Sequence, residues 1–201
     1  MKVILASKSP RRREILGTVL KEFNIEVAEC DESLPSSVHP REGVAELAER
    51  KGTATYEKLT SESADLSDTL IISSDTLVER DGEHLGKPID ENDAFLMLKK
   101  LSGRAHNVHT GIALRMGERT VSATATTGVV FREMSDSEIW EYIATGEPMD
   151  KAGSYGIQGI GGKFVTGYDG DYDTVVGFSL RLFFELVSKM GIDLSLIGGI
   201  R

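Results

Sequence analysis

The sequence predicts an α/β fold with a mixed β-sheet. Strand-like and helix-like segments alternate along the whole chain, which favours helices packed on a sheet. Two hairpin signals, Asp81-Gly82 and Gly117-Glu118, indicate antiparallel neighbours. Strands separated by a helix favour parallel pairing instead. Because both kinds of connection occur in one chain of 201 residues, we expect a sheet of mixed direction in one large domain or two small lobes.

The N-terminal segment predicts a strand, a short turn and a helix. Lys2 to Ala6 is a short apolar run, typical of a buried strand. Ser9 and Pro10 mark a helix start, because serine is a favoured N-cap and proline at the first helical position loses no hydrogen bond. We expect this helix to continue to about Phe23. Its expected buried face consists of Ile15, Leu16, Val19, Leu20 and Phe23.

A second strand, Ile25 to Glu29, and a helix from about Glu42 to Leu59 are expected next. The polar, proline-containing loop CDESLPSSVHPRE leads from one to the other. Within the helix, Lys51 continues a stripe of apolar residues at helical spacing, so its side chain should point inward or along the edge of the buried face. The apolar members of this stripe are Val44, Leu47 and Ala48.

Residues 69–78 predict a central strand that is apolar at its start and polar at its end. If Asp81-Gly82 is the turn of a hairpin, Thr76 faces Lys87 across the two strands. This register would bring the Lys87 ammonium beside the Asp75 carboxylate.

The rest of the chain predicts three helices and a longer hairpin. Asp90 is a candidate N-cap, and Ser135 with Glu138 has the spacing of a capping box. Segment 146–162 has six glycines in seventeen residues and is expected to be a loop. The other expected elements are a helix from Asp90 to Leu101, strands over 107–116 and 119–131, a helix from Ser135 to Ala144, strand and turn structure over 163–178, and a helix from Ser179 to Met190.

Composition and charge limit the partners and the location of the protein. A net charge of −9 disfavours nucleic acid and anionic membranes, because both would be repelled. The single cysteine, Cys30, excludes an internal disulfide and a cysteine-cluster zinc site, and it fits a reducing compartment. The apolar stretch at the N-terminus is too short for a signal sequence or a membrane span. We therefore expect a cytoplasmic protein without a nucleic-acid or membrane partner.

Three arginines, Arg11, Arg12 and Arg13, fill the first turn of the first helix, where the helix dipole favours acidic residues instead. Helix N-terminal amides bind anions, and guanidinium groups add bidentate hydrogen bonds to phosphate. We interpret the cluster as an anion site, with Ser7 and Ser9 offering hydroxyls beside it. The alternative is that Arg11 and Arg13 face solvent and only one arginine has a role.

Asp75 lies late in an apolar strand, where a carboxylate is costly unless it is paired or binds a metal. One alternative is a buried ion pair with Lys87. Together with Lys51 and the arginines, however, these residues predict a cationic cleft that suits a polyphosphate with a divalent ion. Glu32 is a candidate for a second carboxylate, and the amide of Gln158 is suited to reading a base edge, although both residue types are more often solvated.

Seven motifs in order along the chain resemble the Maf family of nucleoside triphosphate pyrophosphatases. They are LASKSPRRREIL, the Lys51 helix, SSDTLV, LGKP, LSGRAHNVHTG, GEPMDKAGSYGIQG and GDYDTVVG. The resemblance covers nearly the whole chain and implies one Maf-like domain over residues 1–201. It also implies an elongated central sheet, two lobes around a deep cleft, similarity in shape to inosine triphosphate pyrophosphatases, and a homodimer.

The resemblance further implies hydrolysis of a nucleoside triphosphate to monophosphate and pyrophosphate with Mg²⁺ or Mn²⁺. The residues it assigns to phosphate binding are Ser7, Arg11 and Arg12. The metal would be held by Asp75 and Glu32. The residues that it assigns to catalysis are Asp75, Lys51 and Lys87.

Three positions, Arg11, Thr76 and Gln158, resemble the branch of the family that acts on dTTP and UTP, so we expect a pyrimidine substrate and a role in cleaning nucleotide pools. Alternatives are hydrolysis of 7-methyl-GTP or other purine triphosphates, and a non-catalytic nucleotide sensor that regulates cell division. Two positions depart from the family pattern. Gly52 stands where alanine is usual, which should loosen its helix, and Ser74 replaces a common alanine in the SSD sequence.

Overall fold

The computed structural model describes residues 1–35 and 37–197 and has the expected mixed α/β architecture. Ser36, in the predicted polar loop, lies outside the described residues. The strands of the described part are β1 (Lys2–Leu5), β2 (Asn24–Ile25), β3 (Thr69–Arg80), β4 (Glu83–Leu85), β5 (Ala105–Met116), β6 (Arg119–Phe131) and β7 (Val165–Asp169). The α-helices are α1 (Pro10–Val19), α2 (Pro40–Ser61), α3 (Glu91–Leu101), α4 (Asp136–Ile143), α5 (Tyr172–Val176) and α6 (Leu180–Met190).

The strands form one sheet of mixed direction, in the order β2-β1-β3-β5-β6-β7, with β4 paired to β3. β1 runs parallel to both β2 and β3, and Lys2 to Leu5 pair with Thr69 to Ile72. β4 is antiparallel to β3, and β7 is antiparallel to β6. The mixed sheet predicted from the alternation of hairpins and helices is therefore confirmed.

The described residues divide into two compact units. The first unit consists of residues 1–75, 110–125 and those from 177 onward, and the second of residues 76–109 and 126–176. β3, β5 and β6 each begin in one unit and end in the other. A core cluster of the first unit contains Ile4, Ala6, Leu59, Leu66 and Ile71. The core of the second unit is rich in aromatic residues, among them Phe131, Tyr142, Tyr155 and Phe164.

Local capping and turn signals were accurate predictors. Ser9, Asp90, Ser135 and Ser179 each accept a backbone N–H at the start of a helix. Ser135 and Glu138 form the complete capping box. The hairpin at Asp81-Gly82 has the predicted register, since Val78 pairs with Leu85 and Arg80 with Glu83. None of the described helices is both long and apolar enough to cross a membrane.

Two elements near the N-terminus are shorter than predicted. α1 ends at Val19 instead of Phe23, because Leu20 is extended and its buried side chain already belongs to the connection that follows. β2 covers only Asn24–Ile25 instead of Ile25 to Glu29. Its partner, β1, ends at Leu5, so the residues beyond Ile25 have no strand to extend along.

Two predicted irregular segments also contain helical turns. The glycine-rich segment includes the 3-10 turns Glu147–Asp150, Ala152–Ser154 and Ile160–Phe164. Residues 163–178, predicted as strand and turn, contain β7 and the short helix α5.

Candidate functional site

The first unit brings several of the predicted site residues into one charged group. Arg12 is on α1, Lys51 on α2, Asp75 on β3, and Glu32 lies in the loop before α2. We call these four residues the Asp75 cluster. Two are cations and two are anions, so the charges of the cluster balance when all four are ionised.

Lys51 is the centre of this cluster. Its Nζ donates to Asp75 Oδ1 at 2.6 Å and lies 2.9 Å from Glu32 Oε2. The side chains of Asp75 and Lys51 are only 11% and 17% exposed, whereas that of Glu32 is 60% exposed. The predicted inward orientation of Lys51 is therefore confirmed. It neutralises a carboxylate that would otherwise be costly to bury.

Gly52 lets α2 approach β3 at this point. A Cβ at Gly52 would lie 2.8 Å from Ser73 Oγ. That hydroxyl has a fixed direction, because it donates to the carbonyl oxygen of Ala48 on α2 at 2.6 Å. The glycine that departs from the family pattern thus allows a close contact between helix and strand, one residue from Lys51.

Arg12 is buried by contacts with three separate parts of the chain. Its Nε donates to the Gly177 carbonyl at 3.0 Å, and its Nη1 donates to the Ser74 carbonyl at 2.7 Å and to Ser7 Oγ at 3.2 Å. Its Nη2 lies 4.0 Å from Asp75 Oδ1. Burial lowers the pKa of Arg12, and the Asp75 carboxylate opposes this shift. The guanidinium therefore fixes the middle of β3, next to Asp75.

The three arginines of α1 have different environments. Arg12 turns inward, Arg11 is half-buried, and Arg13 is exposed. Sequence reasoning treated Arg12 as a phosphate ligand, whereas its Nε and Nη1 donate to protein oxygens. Its observed contacts are thus those of a residue that holds the cluster together.

Two residues of this site were missed by the sequence reasoning. The Gly177 carbonyl accepts from Arg12 Nε and also from Ser74 Oγ, both at 3.0 Å. Gly177 has a φ of 120°, a backbone conformation that favours glycine. Ser74, at the position where the family pattern has alanine, thus provides a second donor to the carbonyl oxygen that Arg12 binds. The glycine in VVGF was the only local signal.

Thr76, Lys87 and Gln158 belong to the second unit. Thr76 is half-buried on β3, directly after Asp75 in the chain, and Gln158 is exposed in the glycine-rich segment. Lys87 is exposed and follows the end of β4 at Leu85, so the strand pairing stops before Thr76 and Lys87. The predicted pairing of Thr76 with Lys87 is therefore wrong. The lysine that neutralises Asp75 is Lys51.

The donor set around Asp75 suits a metal that is shared with a substrate. Asp75 Oδ1 and Glu32 Oε2 both lie within 3 Å of Lys51 Nζ, so the two carboxylates converge. Among the described residues there is no group of three or more His, Cys, Asp and Glu side chains that would hold a metal alone. Magnesium commonly uses one or two carboxylates together with substrate phosphates. Two convergent carboxylates fit that pattern.

The cluster combines a fixed carboxylate with two cations. A carboxylate held in this way can accept a proton from water, and ammonium and guanidinium groups can stabilise phosphate charge.

A match to the family model for Maf-like proteins extends over residues 2–190.

The chain belongs to the Maf-like family. A dTTP/UTP pyrophosphatase of Thermococcus onnurineus (strain NA1) is 47% identical over 184 residues, which cover 92% of this Maf-like chain and 95% of the relative. The dTTP/UTP pyrophosphatase of Thermococcus kodakarensis (strain ATCC BAA-918 / JCM 12380 / KOD1) is 47% identical over 192 residues, or 95% and 97% of the two chains. That of Bdellovibrio bacteriovorus (strain ATCC 15356 / DSM 50701 / NCIMB 9529 / HD100) is 41% identical over 189 residues, or 93% and 97%.

Proposed function

We propose that this Maf-like protein hydrolyses pyrimidine nucleoside triphosphates, dTTP and UTP among them, to the monophosphate and pyrophosphate. The relatives described above carry that activity in their names and match more than nine-tenths of the chain. The observation that carries the proposal is the buried Asp75 carboxylate, 2.6 Å from Lys51 Nζ. Removal of surplus or modified pyrimidine nucleotides is the role that fits such an activity.

In this proposal Asp75 is the proton acceptor. Its carboxylate takes a proton from water as the water oxygen attacks the α-phosphorus. The bond from the α-phosphorus to the bridging oxygen breaks, and pyrophosphate leaves with the electron pair. Lys51 holds the carboxylate in place and stabilises charge on the phosphates, together with Lys87.

The N-terminal turn before and within α1 is proposed to bind the phosphates. Arg11 lies in the first turn of this helix and Ser7 two residues before its N-cap, at the helix end where anions are favoured. Arg12 holds Ser7 and the middle of β3, next to Asp75, through the contacts described above. We therefore assign Arg12 a positioning role and Arg11 direct contact with phosphate.

Asp75 and Glu32 are the residues proposed to hold a divalent cation, Mg²⁺ or Mn²⁺. When bound, such an ion neutralises phosphate charge and orients the triphosphate for attack. Their convergence on one ammonium group supports this assignment.

Base selection is assigned to Thr76 and Gln158. A hydroxyl and an amide provide both donors and acceptors, which is what the edge of uracil or thymine requires. A poorly matched base would leave buried polar groups unpaired and so be disfavoured. We further propose that the protein acts as a homodimer, as the family resemblance implies. Its single cysteine, which fits a reducing compartment, supports a cytoplasmic location as part of this proposal.

A substrate panel tests the proposed function. Purified protein is assayed for pyrophosphate release from dTTP, UTP, CTP and 7-methyl-GTP, with Mg²⁺ and with Mn²⁺. The proposal predicts fastest turnover of dTTP and UTP, and loss of turnover when the metal is chelated. Preference for 7-methyl-GTP would overturn the pyrimidine assignment. Binding without any turnover would favour a nucleotide sensor instead of an enzyme.

A further inference from the structure

The glycine-rich segment of the second unit is organised around one carboxylate. Glu147 Oε2 accepts from the backbone N–H of Ile160 at 2.8 Å, and Glu147 Oε1 accepts from that of Gly161 at 3.1 Å. The Tyr142 hydroxyl also donates to Glu147 Oε1, at 2.8 Å. Glu147 thus fixes the residues that follow Gln158 in the chain.

The residues that precede Gln158 are held through the same tyrosine. The backbone N–H of Gly156 donates to the Tyr142 hydroxyl at 3.2 Å. Between these anchors, Gly159 N–H donates to the Gly156 carbonyl at 3.2 Å and closes a tight turn. Gln158 lies within this turn and is exposed. Its backbone is therefore fixed on both sides by contacts that lead back to Glu147.

At two glycines of this segment an added Cβ would meet the side chains of Glu147 or Tyr142. A Cβ at Gly159 would lie 2.5 Å from Glu147 Oε2. A Cβ at Gly161 would lie 2.5 Å from the Tyr142 hydroxyl oxygen. The backbone approaches the carboxylate and the phenol closely enough to form the hydrogen bonds of 2.8–3.2 Å described above. These two glycines, which follow Gln158 in the chain, thus allow the Glu147 contacts.

The ionised form of Glu147 is the form that these contacts favour. Burial raises the pKa of this carboxyl, but the hydrogen bonds from Gly161, Ile160 and Tyr142 outweigh burial and hold the pKa below its usual range. Backbone N–H groups bind a carboxylate more strongly than a neutral acceptor.

We propose that Glu147 is a positioning residue for base recognition: it fixes the turn that presents the Gln158 amide to the nucleobase. This inference rests on the proposed function of Gln158. Glu147 does not touch the substrate in this account. Its loss should weaken recognition of the base while leaving the recognition of phosphates unchanged.

The test compares Glu147→Gln with the wild-type protein. We expect the KM for dTTP to rise about tenfold, the effect of losing roughly one well-made hydrogen bond, while kcat changes little. Inorganic tripolyphosphate, which has no base, should inhibit both proteins equally. Glu141→Gln is the matched control, because Glu141 is exposed on the same helix as Tyr142 and should leave KM unchanged.

A double-mutant cycle separates positioning from general loss of structure. Gln158→Ala alone should also raise KM, and adding Glu147→Gln to it should have little further effect, because Glu147 acts through Gln158. Tyr142→Phe removes a hydroxyl from the same network without changing a charge and should raise KM in the same way. Circular dichroism and thermal unfolding show whether each variant remains folded.

The outcomes distinguish this inference from the proposed function. If the wild-type protein turns over dTTP and folded Glu147→Gln has the same KM, the positioning role is wrong while the function stands. Additive effects of Glu147→Gln and Gln158→Ala would also overturn it. If the wild-type protein turns over none of the nucleotides, the proposed function itself fails.

Discussion

The Asp75 cluster and the Glu147 turn each place a carboxylate at a chosen point, but with different partners. Asp75 is held by charged side chains that extend from two helices. Glu147 is held by backbone N–H groups of the glycine-rich segment and by the phenol of Tyr142 on α4. Charged partners neutralise Asp75 and can stabilise charge on phosphates, whereas the donors around Glu147 fix the path of the backbone. A substitution in the Asp75 cluster should therefore lower the rate of the reaction, whereas one in the Glu147 turn should change the backbone conformation.

The largest expected effect follows from neutralising Asp75. Asp75→Asn keeps the size of the side chain but removes the proton acceptor, so turnover of dTTP should fall about 10³-fold or more. Lys51 and Arg11 remain, so nucleotide binding should persist when measured by calorimetry. Asp65→Asn, at an exposed aspartate after α2, should retain full turnover. A folded Asp75→Asn protein with full activity would exclude Asp75 from the chemistry.

Replacing Lys51 tests the role of the ammonium group in the Asp75 cluster. Lys51→Met keeps the length of the side chain but leaves Asp75 and Glu32 without their shared ammonium group. We expect kcat for dTTP to fall about 10²-fold, the scale of losing one group that stabilises transition-state charge. Lys58→Met, on a later turn of α2, is the control. Equal kinetics of Lys51→Met and the control would show that the ammonium group is not used.

The stability of the second unit should depend on pH through a buried histidine that contacts the glycine-rich segment. His106 contacts Tyr155 of the glycine-rich segment, Nε2 to hydroxyl, at 2.9 Å. Burial is the main cause that lowers the pKa of His106 from 6.5 to about 4, and the charge of Arg80 lowers it further. The unfolded chain therefore binds the proton more tightly. The stability associated with neutral His106 is complete above pH 6.5 and is lost as pH falls from 6.5 towards 4.

Urea unfolding at several pH values measures this dependence. The contribution amounts to at most about 3 kcal/mol across the interval. His106→Gln does not titrate and should flatten the curve of unfolding free energy against pH relative to the wild type. The exposed His84 provides the control substitution His84→Gln, whose curve should follow the wild type. An unchanged slope in His106→Gln would show that His106 titrates normally.

The smallest expected effects are the changes in unfolding free energy caused by alanine at two helical glycines, Gly52 and Gly17. In Gly52→Ala the new Cβ meets Ser73 Oγ, so the free energy of unfolding should fall by about 1–3 kcal/mol. Nothing lies within 4 Å of a Cβ added at Gly17 on α1, so Gly17→Ala should stabilise the protein by about 1 kcal/mol. Chemical denaturation measures both. If Gly52→Ala is as stabilising as Gly17→Ala, the close contact between α2 and β3 is not required.

Local signals explain why much of the fold was predictable. A cap such as Ser135 or a turn such as Asp81-Gly82 acts on residues next to it in the chain, so its effect can be inferred without tertiary structure. The inward orientation of Lys51 followed from helical spacing for the same reason. β2 was predicted too long because its length depends on where β1 ends, which is a tertiary property.

The parts of the site that were missed depend on distant residues. Arg12 meets the Gly177 carbonyl across 165 positions of sequence. Apart from the glycine in VVGF, neither the contact nor the role of Ser74 beside it leaves a local pattern. An ion pair of Asp75 with Lys87 was one alternative because the hairpin register was extended beyond Leu85, where β4 ends. The contacts of Glu147 join the two ends of an irregular loop, for which no periodic pattern exists.

Hydrolysis of dTTP in water labelled with heavy oxygen tests the central claim most directly. If water attacks the α-phosphorus beside Asp75, mass spectrometry will find one labelled oxygen in dTMP and none in the pyrophosphate. Label in the pyrophosphate would place the attack on the β-phosphorus. Formation of dTDP and labelled orthophosphate would likewise contradict the proposed reaction.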